Sequence, residues 1–305
     1  MKRLNELIDK AREKKNRVAI AVGEDLEVLK AVEKAVEYDL CTFSVFGNEK
    51  KAREICESLK FGNEIYQKIE FIDCESEFCA VQSAIKSVSD NKCNLLMKGH
   101  VKTATLLREF LNEKYDLRTK RVMNLVSVFE IPGYDRLLIS ADAGMVIFPT
   151  LEQKAASIVN CVLVANSIEI ENPKVAVISA VEVVNEKMPA TLDAAILSKM
   201  NDRNQIKGAI VDGPFALDNA ISETAAKNKG ITSPVAGKAD ILIMPDIQSG
   251  NVFYKTLVFL AKSRVASSVI GGKKPIILTS RADNEESKLF LIALNILISG
   301  RCGDE

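Results

Sequence analysis

The strongest constraint on this chain is a set of short aliphatic and β-branched runs that stay apolar on both faces. They fall at residues 18–22, 42–47, 69–73, 94–98, 137–140, 175–179, 208–211, 241–244 and 275–279. A strand that is apolar on both faces has to be covered on both, which is the condition of a parallel strand between helix layers. Stretches with helical spacing lie between these runs, at 25–38, 80–89, 104–112, 151–167, 190–200, 252–263 and 286–299. Strands alternating with helices of this length make βαβ units, so the expected class is α/β with mainly parallel sheets. A polar, charged stretch at 112–121 and the Gly271-Gly272-Lys273-Lys274-Pro275 segment interrupt the pattern. One strand and one helix remain after the second break. The expected organisation is therefore a discontinuous first α/β domain, 1–120 plus 273–305, with a second α/β domain, 121–272, inserted into it.

Composition removes several function classes. Lys+Arg and Asp+Glu are both 41, so the basic excess of a nucleic-acid binder is missing, and with no tryptophan and 6% aromatics there is little material for base stacking. The seven cysteines (41, 56, 74, 79, 93, 161 and 302) contain no C-x-x-C pair, and His100 is the single histidine. They read as reduced thiols, and no metal site is expected. The first residues, MKRLNELIDKAREKK, form a charged amphipathic helix with no apolar core, and no run reaches the roughly 18 apolar residues of a membrane span. The expected location is the cytoplasm, without membrane or nucleic-acid partners.

Nucleotide and hydrolase fingerprints are absent. No G-x-G-x-x-G follows the first strand, TSPVAGKA (232–239) lacks the first glycine and the hydroxyl of a P-loop, and no G-x-S-x-G occurs. Polar turns do follow the strands: Lys98-Gly99-His100, Ala141-Asp142, Asp212-Gly213-Pro214, Pro245-Asp246 and Thr279-Ser280-Arg281. Ligands of open α/β sheets collect at such strand ends. Arg281 could clamp a phosphoryl group in two-pronged fashion. Asp283 and Glu286 form a capping box ahead of the last helix, whose start would favour an anion.

The blocks FEIPGYDRLL (129–138), AVEVVNEKMPATLDAA (180–195), KGAIVDGPFALDNA (207–220), SPVAGKADILIMPDIQSGNVFYKTL (233–257) and ILTSRAD (277–283) resemble the butyryl branch of the phosphate acetyl/butyryl transferase family. The resemblance implies two α/β domains of the isocitrate/isopropylmalate dehydrogenase kind, an active site in the interdomain cleft, and a homodimer or higher homo-oligomer. It implies the reversible reaction of butyryl-CoA and phosphate to butyryl phosphate and CoA. An acetyl or branched-chain variant and a non-catalytic CoA- or acyl-phosphate-binding relative are the alternatives. Coenzyme A would be a substrate, and no cofactor is implied.

By the same resemblance, Arg281 binds the phosphoryl group and Ser280 hydrogen-bonds the sulfur or the developing oxyanion. Arg108, in TATLLR (103–108), matches a phosphate-binding arginine of the phosphotransacetylase branch. The chain also departs from its relatives. Ser287 stands where that branch has an aspartate, and Phe259 where it has an arginine, which fits a more apolar acyl pocket. Asn124-Leu125 and Ala141 replace Ser-His and Thr of the butyryl branch.

The chemistry sets further requirements. A thiol with pKa near 8.5 needs a base or a positive field at neutral pH. Asp283, Asp246 and Asp212 are the candidates for the base, and the sequence does not choose between them. A phosphate leaving group needs positive charge, for which Arg281, Lys98 and Lys238 are available. The run 233–251 is a candidate CoA wall, in which Gly237 and Gly250 permit close backbone approach and Asp246 and Asn251 offer polar contacts.

Overall fold

The computed structural model of the chain describes residues 1–279 and 285–302. Its strands are β1 (Arg17–Ala21), β2 (Thr42–Gly47), β3 (Ile69–Asp73), β4 (Leu95–Lys98), β5 (Asn124–Glu130), β6 (Leu137–Ala141), β7 (Lys174–Ile178), β8 (Ile210–Phe215), β9 (Ile241–Ile243), β10 (Arg264–Ile270) and β11 (Ile276–Ile277). The α-helices are α1 (Asn5–Arg12), α2 (Leu26–Glu37), α3 (Glu49–Ser58), α4 (Asn63–Tyr66), α5 (Glu77–Ser89), α6 (Thr103–Phe110), α7 (Leu151–Ser167), α8 (Pro189–Asp202), α9 (Leu217–Ile221), α10 (Glu223–Asn228), α11 (Ile247–Lys255) and α12 (Glu285–Ser299). The chain forms two compact units: a flanking unit of residues 5–120 and 266–305, and a central unit of residues 1–4 and 121–265.

In the flanking unit the strand order is β3-β2-β1-β4-β11-β10. β1 pairs in parallel with β2 on one side (Val18 opposite Phe43) and with β4 on the other (Val18 opposite Leu95). β11 adds in parallel to β4, and β10 turns back antiparallel to β11. The chain thus winds outward from β1 to β3, then returns to the far side of β1 with β4. The carboxyl ends of β1 and β4 therefore flank a topological switch point, where a crevice opens because the neighbouring connections leave in opposite directions. Helix α12 supplies much of the core beneath it. Every residue from Lys288 to Ile298 is buried, and the helix packs on α1, α2, β4 and β11. Asn295 is fully buried in that helix: its Nδ2 donates to the carbonyls of Ser267 (3.1 Å) and Leu291 (2.7 Å), and its Oδ1 accepts from Ser268 Oγ (2.6 Å).

In the central unit the order is β5-β6-β9-β7-β8, parallel except for the β5–β6 hairpin. β5 is not among the apolar runs expected from sequence, because Asn124 and Ser127 interrupt it. Both are fully buried, and Asn160 Nδ2 donates to Asn124 Oδ1 at 2.7 Å. At the far end of β5, Glu130 accepts from Arg264 at 2.7 Å and from the Leu4 amide at 2.8 Å, which ties the first residues to this unit. Burial works to raise the Glu130 carboxyl, but the Arg264 hydrogen bond and the Leu4 amide bring it below the usual carboxylate range.

Some expected boundaries move. The helix expected at 252–263 starts at Ile247 and passes into a π-helical turn, Thr256–Leu260. Asp246 caps it, and Gly250, ordinarily a helix breaker, lies inside it where a side chain would collide with the Asp142 carbonyl. The run 275–279 contributes only Ile276–Ile277 as strand.

Replacing Asn295 by alanine leaves Ser268 Oγ and two carbonyls without their buried partner. The expected cost is about 1–3 kcal/mol of stability. A urea midpoint unchanged from the parent chain would contradict this account.

Candidate functional site

The flanking unit holds a pocket of about 400 Å³ at the carboxyl ends of β1, β4 and β11. Asp25, following β1, is the N-cap of α2: its Oδ1 accepts from the amides of Glu27 (3.0 Å) and Val28 (3.1 Å). Lys98, Gly99 and His100 follow β4. The Gly99 amide donates to Ala21 O at 2.9 Å and the His100 amide to Val22 O at 2.7 Å, so the turn is laid along the end of β1. Gly99 is required here, since a Cβ would collide with the Val22 carbonyl. This anchoring brings His100 Nδ1 to 3.3 Å from Asp25 Oδ2.

Lys98 Nζ donates to the carbonyls of Gly99 (3.1 Å) and Val101 (3.3 Å), and Thr279 Oγ1 donates to Lys98 O at 3.1 Å. On another wall Lys288, with its side chain 3% exposed, places Nζ 2.9 Å from Glu27 Oε2. Glu27 also accepts from Lys30 at 3.0 Å. The hydrogen bond from Lys288, and then that from Lys30, pull the Glu27 carboxyl below its usual range. Lys102 and Glu77 complete the charged lining, and α6 begins there with no side-chain cap on its first amides. Three ammonium groups and three carboxylates line this space beside the start of α6, so the pocket is charged with both signs.

In the central unit a second group of polar turns gathers at the carboxyl ends of β6 and β9. Asp142 is buried and accepts from the amides of Gly144 (2.8 Å), Met145 (3.0 Å) and Val146 (3.0 Å). Burial raises its carboxyl despite these donors. Asn251 Nδ2 donates to Ala143 O at 3.0 Å, and Asp246 accepts from the Ser249 amide at 2.9 Å.

The residues singled out from sequence thus fall into separate places. Lys98 lines the flanking-unit pocket, with His100 and Thr279. Arg108 is exposed on α6 and is not among that pocket's lining residues. Asp246, Gly250 and Asn251 lie together after β9, whereas Gly237 and Lys238 precede it. Gly237 is buried with φ +71° against Glu223, and Lys238 Nζ is 3.8 Å from Glu223 Oε1. The run 233–251 therefore passes from one end of the central sheet to the other. Asp212 Oδ1 accepts from Ser198 Oγ at 3.1 Å and from the Gly213 amide at 2.8 Å, within β8. Ser280, Arg281 and Asp283 lie outside the described residues. Among the described residues no three His, Cys, Asp or Glu side chains come together as a metal site. Sequence reasoning did not find Asp25 or Lys288; the usable signal for Asp25 was an acidic N-cap immediately after a strand.

Two α/β units, each with polar turns collected at the carboxyl ends of parallel strands, define a class of protein that handles small or extended polar ligands. Comparison with known proteins makes this specific. The family model described as "Phosphate acetyl/butaryl transferase" matches residues 76–296. The phosphate acetyltransferase of Thermotoga maritima is 52% identical over 296 residues, 97% of this chain and 99% of the relative. The phosphate butyryltransferase of Clostridium acetobutylicum is 46% identical over 301 residues, 98% of this chain and 99% of the relative. Among solved structures, a branched-chain phosphotransacylase from Enterococcus faecalis V583 superposes with a TM-score of 0.81 at 30% identity, covering 93% of this chain and 99% of that one. The chain belongs to the phosphate acetyl/butyryl transferase family.

The Glu27–Lys288 pair has a pH signature. A carboxyl held below its unfolded pKa stabilises the fold above that value, near 4.3, and the contribution is lost as pH falls through the folded value. Glu27→Gln should therefore destabilise the chain most near neutrality, with the gap to the parent closing below about pH 4. Denaturant midpoints measured across this range check it, and a gap independent of pH would exclude the ion pair as its source.

Proposed function

We propose that this chain is a phosphate acyltransferase that moves a short acyl group reversibly between coenzyme A and phosphate. The observation that carries this reading is identity of 46–52% over nearly the full length with enzymes named for that transfer. Butyryl is the acyl group we favour, supported by the 46% identical butyryltransferase and by Phe259, an apolar side chain 56% exposed where the acetyl branch has a charge. Acetyl is the second reading, favoured by the 52% identical acetyltransferase.

In the proposed reaction, Arg281 neutralises the phosphoryl group, and Ser280 donates to the oxyanion of the tetrahedral intermediate or to the sulfur. One preorganised donor to such an oxyanion is worth about 2.7–4 kcal/mol. Lys98, in the flanking-unit pocket, supplies further positive charge for phosphate. We assign Arg108, exposed on α6, to the outer binding surface, and Asp246, Gly250 and Asn251, after β9, to the part of the central unit that meets CoA; Gly237 and Lys238, before β9 and beside Glu223, are left out of that assignment. Coenzyme A enters as a substrate, and the transfer as written uses no cofactor.

We further propose a homodimer in the cytoplasm. Ile147, Phe148, Val252 and Leu260 of the central unit are 61%, 69%, 66% and 78% exposed, apolar surface suited to a second copy. Among the described residues, no helix is long and apolar enough to cross a membrane.

Phosphate-dependent release of free CoA from acetyl-, butyryl- and isobutyryl-CoA, followed with a thiol reagent, should peak at butyryl-CoA. A maximum at acetyl-CoA selects the second reading, and no release from folded protein rejects the transferase. Because one methylene is worth only about 1–3 kcal/mol in an apolar pocket, activity on neighbouring chain lengths should overlap. Arg281→Ala should lower transfer by at least about a hundredfold at unchanged thermal stability, as expected for loss of a transition-state charge contact. Near-parental turnover in that variant would take Arg281 out of the mechanism.

A further inference from the structure

We infer that His100 is the proton carrier of the acyl transfer, held in its working tautomer by Asp25; this rests on the transferase reading above and adds a residue to it. Asp25 divides its carboxylate between two kinds of partner. Oδ1 is taken by the two amides at the start of α2, while Oδ2 lies 3.3 Å from His100 Nδ1. The cap fixes the carboxylate, so the oxygen offered to the imidazole has a defined direction. The backbone of His100 is fixed as well, because its own amide and that of Gly99 are bonded to the carbonyls at the end of β1. With the proton on Nδ1 directed at Asp25, Nε2 carries the lone pair that accepts or returns a proton.

Location and exposure fit this role. The pair lines the pocket at the switch point between β1 and β4, and the His100 side chain is 55% exposed, open to a substrate. The charged groups lining the same pocket are Asp25 and Glu27 from α2, Glu77 from α5, Lys98 and Lys102 beside His100, and Lys288 from α12. Carboxylates and ammonium groups thus both stand around the ring. Glu27 is engaged by Lys288 and Lys30. Asp246 and Asp212, two of the carboxylates considered from sequence as the base, belong to the central unit and are not among the residues lining this pocket, and Asp283 lies outside the described residues. Imidazole is also the side chain whose ordinary pKa lies nearest neutrality, where a proton carrier is most effective.

The CoA thiol gives its proton to Nε2. The thiolate attacks the carbonyl carbon of the acyl phosphate, a C–S bond forms, the bond from that carbon to the phosphate oxygen breaks, and phosphate leaves with the electron pair and takes the proton from the imidazolium, which restores neutral imidazole and releases hydrogen phosphate. In reverse, hydrogen phosphate gives its proton to Nε2 as its oxygen attacks the thioester carbon, the C–S bond breaks, and the departing thiolate takes that proton from the imidazolium.

The test uses His100→Ala, His100→Gln and Asp25→Asn in the full chain, assayed in both directions from about pH 5.5 to 9, a range that brackets an ordinary imidazole pKa. Both His100 variants should lose about 10²–10⁴-fold in kcat, the usual span of general acid–base catalysis, with KM for CoA and phosphate changed by less than about threefold. The rise of kcat between about pH 5.5 and 7.5 in the CoA-consuming direction should disappear, and added imidazole should restore part of the His100→Ala rate. Asp25→Asn, which keeps a capping oxygen, should lose about tenfold and shift that rise. Parental kcat and pH profile in His100→Ala would overturn the assignment. So would a loss carried by KM and unrescued by imidazole, which would mark a binding role. A parent chain that binds CoA but transfers nothing fails at the transferase reading itself and takes this role with it.

Discussion

The parallel pairing of β1 with β2 on one side and β4 on the other is the constraint from which the flanking unit follows. It sets two loops side by side, the one after β1 bonded to the end of β2 and the one after β4 bonded to the end of β1. Val22 and Gly23 donate to the Phe46 carbonyl, and Gly99 and His100 donate to the carbonyls of Ala21 and Val22. Several polar groups of the pocket take their places from this register. Asp25 starts a helix there, Lys98 ends a strand there, and Thr279 is held by the carbonyl of Lys98. A shift of β4 by one residue would turn Lys98 to the opposite face and separate His100 from Asp25.

The floor beneath is apolar but not purely so. Lys288 and Asn295 lie on α12, a helix buried along nearly its whole length, and each is accepted only because its partners are fixed: Glu27 for the ammonium, Ser268 and two carbonyls for the amide. Buried polar groups satisfied in this way specify how α12 sits against α2 and the sheet, because an alternative packing would strand them.

Much of the architecture was legible in the sequence, and the failures have physical reasons. The strands covered on both faces were readable because continuous aliphatic runs leave little else to form. β5 was not, since the buried polar residues Asn124, whose partner Asn160 lies on α7, and Ser127 break its apolar run. α3 buries only Ala52 and Cys56, and α4, α9 and α10 are too short to carry a period. The site was legible as a list of polar turns after strands, but not as a set of neighbours. Asp25 and His100 meet through strand pairing, and Lys288 reaches Glu27 through helix packing, neither of which is encoded locally. The run 233–251 reads as one surface in sequence, yet β9 carries its two parts to opposite ends of the sheet.

The order of the segments along the chain has a consequence for biosynthesis. The central unit is complete once Val265 has been made, whereas the flanking unit still lacks β11 and α12, the helix that fills its core. During vectorial synthesis the later part of the chain can therefore close first. The amino-terminal half of the flanking sheet meanwhile waits, with the apolar face of β4 uncovered by α12, until that helix leaves the ribosome. That interval exposes the strand edges most prone to mispairing, and it makes the nascent amino-terminal half the segment on which a holding chaperone would act.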